Sequence, residues 1–464
     1  MRLSKLLYFS FSLSLFFSVS GQESGASNEK MVENEKEKRE EYEQRLKRFE
    51  EINERRNKDP KRFMDSIAQI RNEKLYNEAL ERLDDYQQDP ELSRLKEIDL
   101  SNARLESIPD FVFEVDSLEV LVLDNNSIAE LPKELEKFEK LERIYWRGNE
   151  LGKRKIKIAK LDGIQRLDLS GNKLSKLPKV HRIDGVTELV LEDNDFKDVS
   201  LWRLRKMKAL KELELSQNPV EMKSRWYGLI KHIEVLKLNK CNLTTIDPSI
   251  YKISGLKELQ VQVNQIEQVP EGISALTELT KISFYKNQLS SLPSDFYNLK
   301  NLRVLDLYYN ELQVIPNDIE RLEALRILYL SFNKIYDLSV EVGSLEKLSQ
   351  LYVHHNRISE LPSSIESLDS LRTLHFQENY INAFPQFILK MDQLRDLDIS
   401  FNDIQDIPLE VENLGLRNFY WRGLEIDLSH PDNYALGEMI YRLDQKGVVV
   451  SPRVDMRAIR GEGD

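Results

Sequence analysis

The stretch LRVLDLYYNELQVIP (302–316) returns 23 residues later as LRILYLSFNKIYDLS (325–339) and then as LSQLYVHHNRISELP (348–362). In this frame Leu302, Leu305, Leu307, Asn310, Leu312 and Ile315 recur as Leu325, Leu328, Leu330, Asn333, Ile335 and Leu338. Working outward, the same frame opens at Leu371 and Leu394 toward the C-terminus. Toward the N-terminus it opens at Leu279, Leu256, Ile233, Leu210, Val186, Ile164, Leu141, Leu118 and Leu95. This predicts fourteen coils over 95–415, with a truncated coil opening at Leu416. A unit of this length cannot bury its own apolar face, so neighbouring units must stack into a solenoid.

The spacing within a coil has a direct physical meaning. An L-x-L alternation is a short strand whose leucines point one way and whose intervening residues point the other. The ninth position is Asn in twelve coils, from Asn126 through Asn402. A buried amide there has donors and an acceptor for the backbone of its own loop and of the next coil, so the column predicts a ladder. Cys241 holds this position in the coil opening at Ile233, which makes the only cysteine a core residue.

These residues resemble the leucine-rich-repeat family, in its 23-residue L-P-x-x-I form, read at Leu292-Pro293, Ile315-Pro316, Leu361-Pro362-Ser363-Ser364-Ile365 and Ile407-Pro408. The resemblance implies an α/β solenoid: a horseshoe with a parallel concave sheet, short helices or turns on the convex side, a helical N-terminal cap and a small α/β C-terminal cap. It implies a scaffold for binding and no single activity. It also extends to the repeat portion of secreted bacterial ubiquitin ligases, but fewer than fifty residues follow the repeats and none is Cys, so that activity is not carried over.

The flanks read differently. Residues 1–21 have the pattern of an export signal: Arg2 and Lys5, an apolar run from Leu6 to Val19, then small residues before Gln22. Residues 22–59 are a charged helical or flexible stalk. Residues 60–94 carry apolar positions at helical spacing (Phe63, Ile67 and Ile70, then Leu75, Ala79, Leu80 and Leu83), the pattern expected of helices covering the first coil. Residues 416–464 hold the truncated repeat, a helix expected over 433–445, a strand at 448–450 and a polar tail. With no further apolar run of spanning length, the mature chain is expected outside the cytoplasm and without membrane insertion: secreted, periplasmic or at the cell surface. The absence of disulfide-capping modules, together with the repeat type, resembles exported bacterial proteins such as those of spirochaetes.

Composition narrows function. The formal charge of −12 over 464 residues argues against nucleic acid as a partner. Basic residues do cluster at Lys153–Lys160, Arg203–Lys208 and Lys223–Lys231, on convex segments lacking the L-P signature and therefore expected to be more helical; they read as a solvated face. No nucleophile elbow, phosphate-cradling glycine loop or zinc spacing occurs, so no cofactor, metal or catalysis is called for. His354, His355 and His375 fall on neighbouring strands and could approach, but the spacing supplies no completing ligand for a metal.

The candidate site is the concave face of the later coils. The residues beside the inward Leu-x-Leu pairs are repeatedly aromatic there: Tyr285, Tyr308, Tyr309, Tyr329, Phe332, Tyr352, Phe401 and Tyr420, with Val304 and Ile327 adding apolar area and His354 and His375 adding rings. Rigid rings with polar tips suit a protein or peptide ligand, a host protein among the candidates, and as stacking platforms they also suit a glycan. The other alternative is a regulatory scaffold inside the cell, with residues 1–21 then not an export signal. Earlier coils place Arg143, Arg147, Asp168, Glu188, Glu192, Glu212 and Glu214 in the same positions. One echo has no functional account: Tyr145-Trp146-Arg147-Gly148 and Tyr420-Trp421-Arg422-Gly423, in which Trp replaces the inward aliphatic residue.

Overall fold

The computed structural model describes residues 47, 58–153, 157–158, 160–177, 183–197, 201–220, 227–428 and 430–454. The signal expected at 1–21, nearly all of the stalk, the tail after 454 and, of the basic cluster, Arg154, Lys155, Lys223 and Arg225 lie outside the described residues. The chain divides into two units, Met1–Asn77 and Glu78–Asp464.

In the first unit the described residues belong to the start of the helix Pro60–Gln88. Met64, Ile67 and Ile70 are exposed there, so the apolar spacing in this part does not mark a buried face. The expectation of several capping helices is corrected to one helix. Burial starts only in its last turns, at Ala79, with Leu83 and Tyr86 packed against the core of the second unit.

The second unit is an open sheet of 16 parallel strands in chain order, each hydrogen-bonded to the strand of the next coil. The register is the repeat itself: Leu259, Ile282, Leu305, Leu328, Leu351, Leu374 and Leu397 lie side by side across seven strands. Their side chains are almost wholly buried and form one continuous core. Three-residue strands alternate with 3-10 turns on the other side, such as Ser294–Asn298, Asn317–Arg321 and Ser363–Ser367. The coils without L-P were expected to be more helical. Among the described residues they contribute a single short α-helix, Leu201–Leu204, and otherwise 3-10 turns and the strand Lys157–Ile158.

The amide ladder has the geometry its position predicts. Asn310 donates from Nδ2 to the carbonyl of Phe284 in the preceding coil (3.0 Å) and of Leu307 in its own (3.1 Å), while its Oδ1 accepts from Leu289 N–H (3.0 Å). Asn126, Asn149, Asn172, Asn356, Asn379 and Asn402 likewise each join their own coil to the preceding one. Cys241 substitutes in kind: its Sγ donates to Leu215 O (3.4 Å) and its N–H to Asn264 Oδ1 (2.8 Å). Burial pushes its thiol up to about 11.

Both ends of the sheet are covered. Arg82 donates to the carbonyls of Asp99 (2.8 Å) and Ser101 (2.8 Å), and the Tyr86 hydroxyl accepts from Asp99 N–H, so backbone groups on the first strand's open edge find partners. At the far end the helix Tyr434–Gln445 leads into the strand Val449–Ser451, which pairs with Asn418–Tyr420 as the sixteenth. The two tryptophans acquire a structural role here. Trp146 is fully buried and donates to Ile128 O (2.9 Å); Trp421 donates to Pro452 O (3.0 Å) and so ties the last coil to the cap. Among the described residues no helix is long and apolar enough to cross a membrane.

Candidate functional site

Because the inward leucines set the strand alternation, the first and third residues of each strand emerge on the face away from the core. The column through the third residues reads, in register, Ser283, Asp306, Tyr329, Tyr352, His375, Asp398, Tyr420. Tyr329 and Tyr352 stack nearly parallel, with centroids 4.9 Å apart and planes at 13°, and His375 meets Tyr352 edge-on at 5.1 Å. The column through the first residues carries Val304, Ile327 and Gln350, all half-buried beside them.

A second set of rings stands where the chain leaves the strand. Tyr309, Phe332 and His355 each precede the ladder Asn and each has a positive φ, at 58°, 56° and 53°. That left-handed residue turns the chain at the same point in every neighbouring coil, and it stacks the three rings into a continuous pile: Tyr309 on Phe332 at 4.2 Å and Phe332 on His355 at 3.7 Å. Tyr308 joins the pile to Tyr285 (5.7 Å), Phe332 (5.0 Å) and His354 (5.7 Å). Of the twelve residues singled out from sequence, the structure gathers Tyr329, Tyr352 and His375 in one set and Tyr285, Tyr308, Tyr309, Phe332 and His354 in another, to which it adds His355; Val304 and Ile327 stand in the neighbouring column and Tyr420 at the end of the first. Phe401 stands apart. It is half exposed and packs over Gly423, a glycine at φ +65° where a Cβ would sit only 2.2 Å from the Phe401 ring.

The rings lie in a region of acidic carboxyls. Asp306 is held by Ser283 Oγ–H (2.6 Å) and Tyr308 N–H (3.1 Å), and burial pushes its carboxyl up. The hydroxyls of Tyr329 and Tyr352 are likewise pushed up by burial, with Asp306 near the first and Tyr329 and Asp396 near the second adding to it. His354 is driven down to about 4, by burial first and then by His355 and His375; its Nδ1 lies 2.9 Å from that of His355. Carboxylates do reach this histidine group, against expectation: Asp396 lies 2.9 Å from His375 and Glu378 lies 2.7 Å from His355. They form two separate pairs, and among the described residues no cluster of three metal-ligating side chains forms.

The same face in the earlier coils is built from ion pairs. Arg147 donates to Asp168 from Nε (2.8 Å), with Nη2 2.7 Å from the same oxygen; Arg166 pairs with Glu188, and Lys237 with Glu212. Glu234 lies between Lys211 (2.8 Å) and Lys257 (2.7 Å), which hold its carboxyl at about 2. Of these, Arg166, Lys237, Lys211, Glu234 and Lys257 were missed from sequence, although each stands close to one repeat from its partner. A shallow depression of about 220 Å³ is lined by this charged group. A cavity of about 230 Å³ lined by Tyr297, Leu305, Leu307, Leu328 and Leu330 belongs to the core, and none of the candidate residues borders it.

Residues 302–432 match the family described as leucine-rich repeat region, and residues 93–151 match the one described as leucine rich repeat. The fold is similar to that of a leucine-rich-repeat protein of Leptospira interrogans, with 25% identity and a TM-score of 0.63 over 80% of this chain and 98% of that one. It is also similar to an internalin of Listeria monocytogenes (19% identity, TM-score 0.53, 74% of this chain and 88% of that one). A third similar structure is that of the Toll–Spatzle complex of Drosophila (21% identity, TM-score 0.57, 73% of this chain and 48% of that one). No curated protein matches the sequence. The chain thus carries leucine-rich repeats over residues 93–151 and 302–432 and has the leucine-rich-repeat fold.

Proposed function

We propose that the chain is an exported, non-catalytic scaffold that holds a protein or peptide ligand on its concave face, in the coils between Leu279 and Phe401. One observation carries this reading: rings from five successive coils stack in two sets, one of Tyr329, Tyr352 and His375 and one running from Tyr285 to His355, on the outer side of a sheet whose other side is already the core. Such a surface, rigid and tipped with hydroxyl and imidazole groups, gains contact area at little entropic cost. Toll, similar in fold, is seen in complex with Spatzle. Glycan binding is disfavoured by the ring geometry. A sugar stacks on an open ring face, whereas Tyr329 and Tyr352, and Tyr309, Phe332 and His355, turn faces on one another. Export rests on residues 1–21, and a bacterial, spirochaete-like origin on the repeat type.

The test has two parts. A pull-down with the chain from Gln22 onward should yield a protein whose affinity falls about 30-fold or more in Tyr329→Ala/Tyr352→Ala, the equivalent of about 2 kcal/mol. Unchanged affinity would remove the rings from the site. N-terminal sequencing of the exported protein should begin near Gln22, and an intact Met1 would return the protein to the cytoplasm.

A further inference from the structure

The aromatic column is bracketed. Asp306 precedes Tyr329 in register and Asp398 follows His375, so two carboxylates close the run Tyr329–Tyr352–His375 at either end. Their partners are uncharged. Asp306 is bonded by Ser283 Oγ–H and Tyr308 N–H, and Asp398 by Ser400 N–H at 3.0 Å. Among the described residues neither forms an ion pair with lysine or arginine. The nearest lysine in the column of first residues, Lys281, is engaged by Glu258 at 2.8 Å. Arg372 and Arg395 each turn Nη1 to backbone carbonyls, those of Asp369 and Leu371 and those of Asp392 and Leu394. In the earlier coils, by contrast, Arg147, Arg166 and Lys237 are shared among the concave carboxylates Asp124, Asp168, Glu188, Glu212 and Glu214. Among the described residues Asp306 and Asp398 thus form no ion pair, Lys281 lending Asp306 only longer-range charge, and they stand at the two ends of an apolar strip.

From this, and resting on the reading of the face given above, we infer that the ligand is an extended protein segment with a basic side chain at each end of a short apolar run, one for Asp306 and one for Asp398. The spacing specifies the segment further. Four strand steps separate the two carboxylates, roughly 19 Å at about 4.8 Å per step, and an extended chain covers that distance in about six residues. Six is even, so the two basic residues of such a segment project from the same side, as do the two alternate residues between them, which lie over the run Tyr329–Tyr352–His375. The pattern is Arg or Lys, five residues with apolar side chains on the contacting face, then Arg or Lys. Charge complementarity of this kind fixes register and orientation as well as adding affinity.

A displayed library of random nine-residue peptides, selected on the full chain, tests this. The expected result is enrichment of two basic residues six positions apart with apolar residues between them. Retention of the selected peptides should fall tenfold or more in Asp306→Asn/Asp398→Asn, and should weaken as salt is raised. Asp398→Asn alone, which keeps an oxygen to accept from Ser400 N–H, should give part of that loss, and thermal melts confirm that each variant is folded. Enrichment of sequences without paired basic residues, equal retention by the folded Asn variants, or no retention of any peptide would overturn the inference. Peptides that lack the basic pair but are still lost in Tyr329→Ala/Tyr352→Ala would overturn it while leaving the aromatic site standing. Peptides retained equally by the Tyr variant would overturn both.

Discussion

The coils around Arg147 to Lys237 and those around Tyr285 to Tyr420 share one core and one backbone register, yet their concave faces solve opposite problems. In the earlier coils the face is closed electrostatically: Arg147, Arg166 and Lys237 bridge carboxylates on neighbouring strands, and even Asp168, whose side chain is 1% exposed, is paired. In the later coils the face is closed only against itself, ring on ring, with apolar edges turned to solvent and two bracketing carboxylates lacking cations. A repeat scaffold therefore leaves its outward positions free to carry unrelated chemistry, because the inward leucines and the amide ladder alone secure each coil. The first region reads as structure and the second as site.

If the core is common to both, Leu213→Ala and Leu305→Ala should each cost about 2–5 kcal/mol, from lost burial and the cavity left behind. Because each coil touches only its neighbours, hydrogen exchange should rise first around the substituted coil. A uniform rise across the repeats, or a large difference between the two variants, would break the comparison at its base.

The charged region offers the next lever. Arg147→Met leaves Asp168 its bonds from Ser170 and, among cations, only the longer contact with Arg166 at 3.8 Å, and should cost about 1–2 kcal/mol in a denaturant melt without altering ligand binding. A loss of binding there would assign function to the wrong face.

A smaller, local effect follows from His354. Its proton affinity is depressed to about 4 in the folded chain, so between its ordinary value near 6.5 and about 4 the unfolded state binds the proton more readily. Stability from this group is complete above pH 6.5 and is lost as the pH falls toward 4. Amide exchange corrected for intrinsic rate should increase over 331–356 on moving from pH 7 to 4.5, and His354→Gln should remove that increase. An equal increase in the variant, or one centred on 166–237, would contradict the assignment.

The smallest effect concerns Cys241. With its thiol held up near 11 in the ladder, native labelling at pH 8 should be negligible and labelling in denaturant complete. Rapid native labelling would take Cys241 out of the core.

The solenoid was legible because its signal is repeated: the leucine spacing predicts strands, and Asn at the ninth position predicts a ladder that Asn310 and Cys241 then display. The aromatic residues were legible as outward-facing by alternation. Their arrangement was not. Tyr309, Phe332 and His355 take a left-handed backbone that side chains of this size rarely announce; Asn102, Asn125, Gly148, Gly171, Asp193 and Gly423 at the same position of other coils hint at it. The pairing of Arg166 with Glu188 and of Lys237 with Glu212 is visible only once register is known, since each pair lies near one full repeat apart. The N-terminal helix misled for a different reason. Helical spacing reports where a buried face could form, and at Ile67 and Ile70 none does.

The central claim, that the later coils bind and the earlier ones do not, is tested most directly by measuring ligand affinity for two folded double variants side by side, Tyr329→Ala/Tyr352→Ala and Arg166→Ala/Lys237→Ala. The peptides selected on the full chain serve as the probe, and a thermal melt is recorded for each variant. The account predicts a loss of about 30-fold or more for the tyrosine pair with little change in melting temperature, and full affinity for the charged pair with a lowered melting temperature. Full affinity in the tyrosine variant, or the greater loss in the charged one, would contradict it.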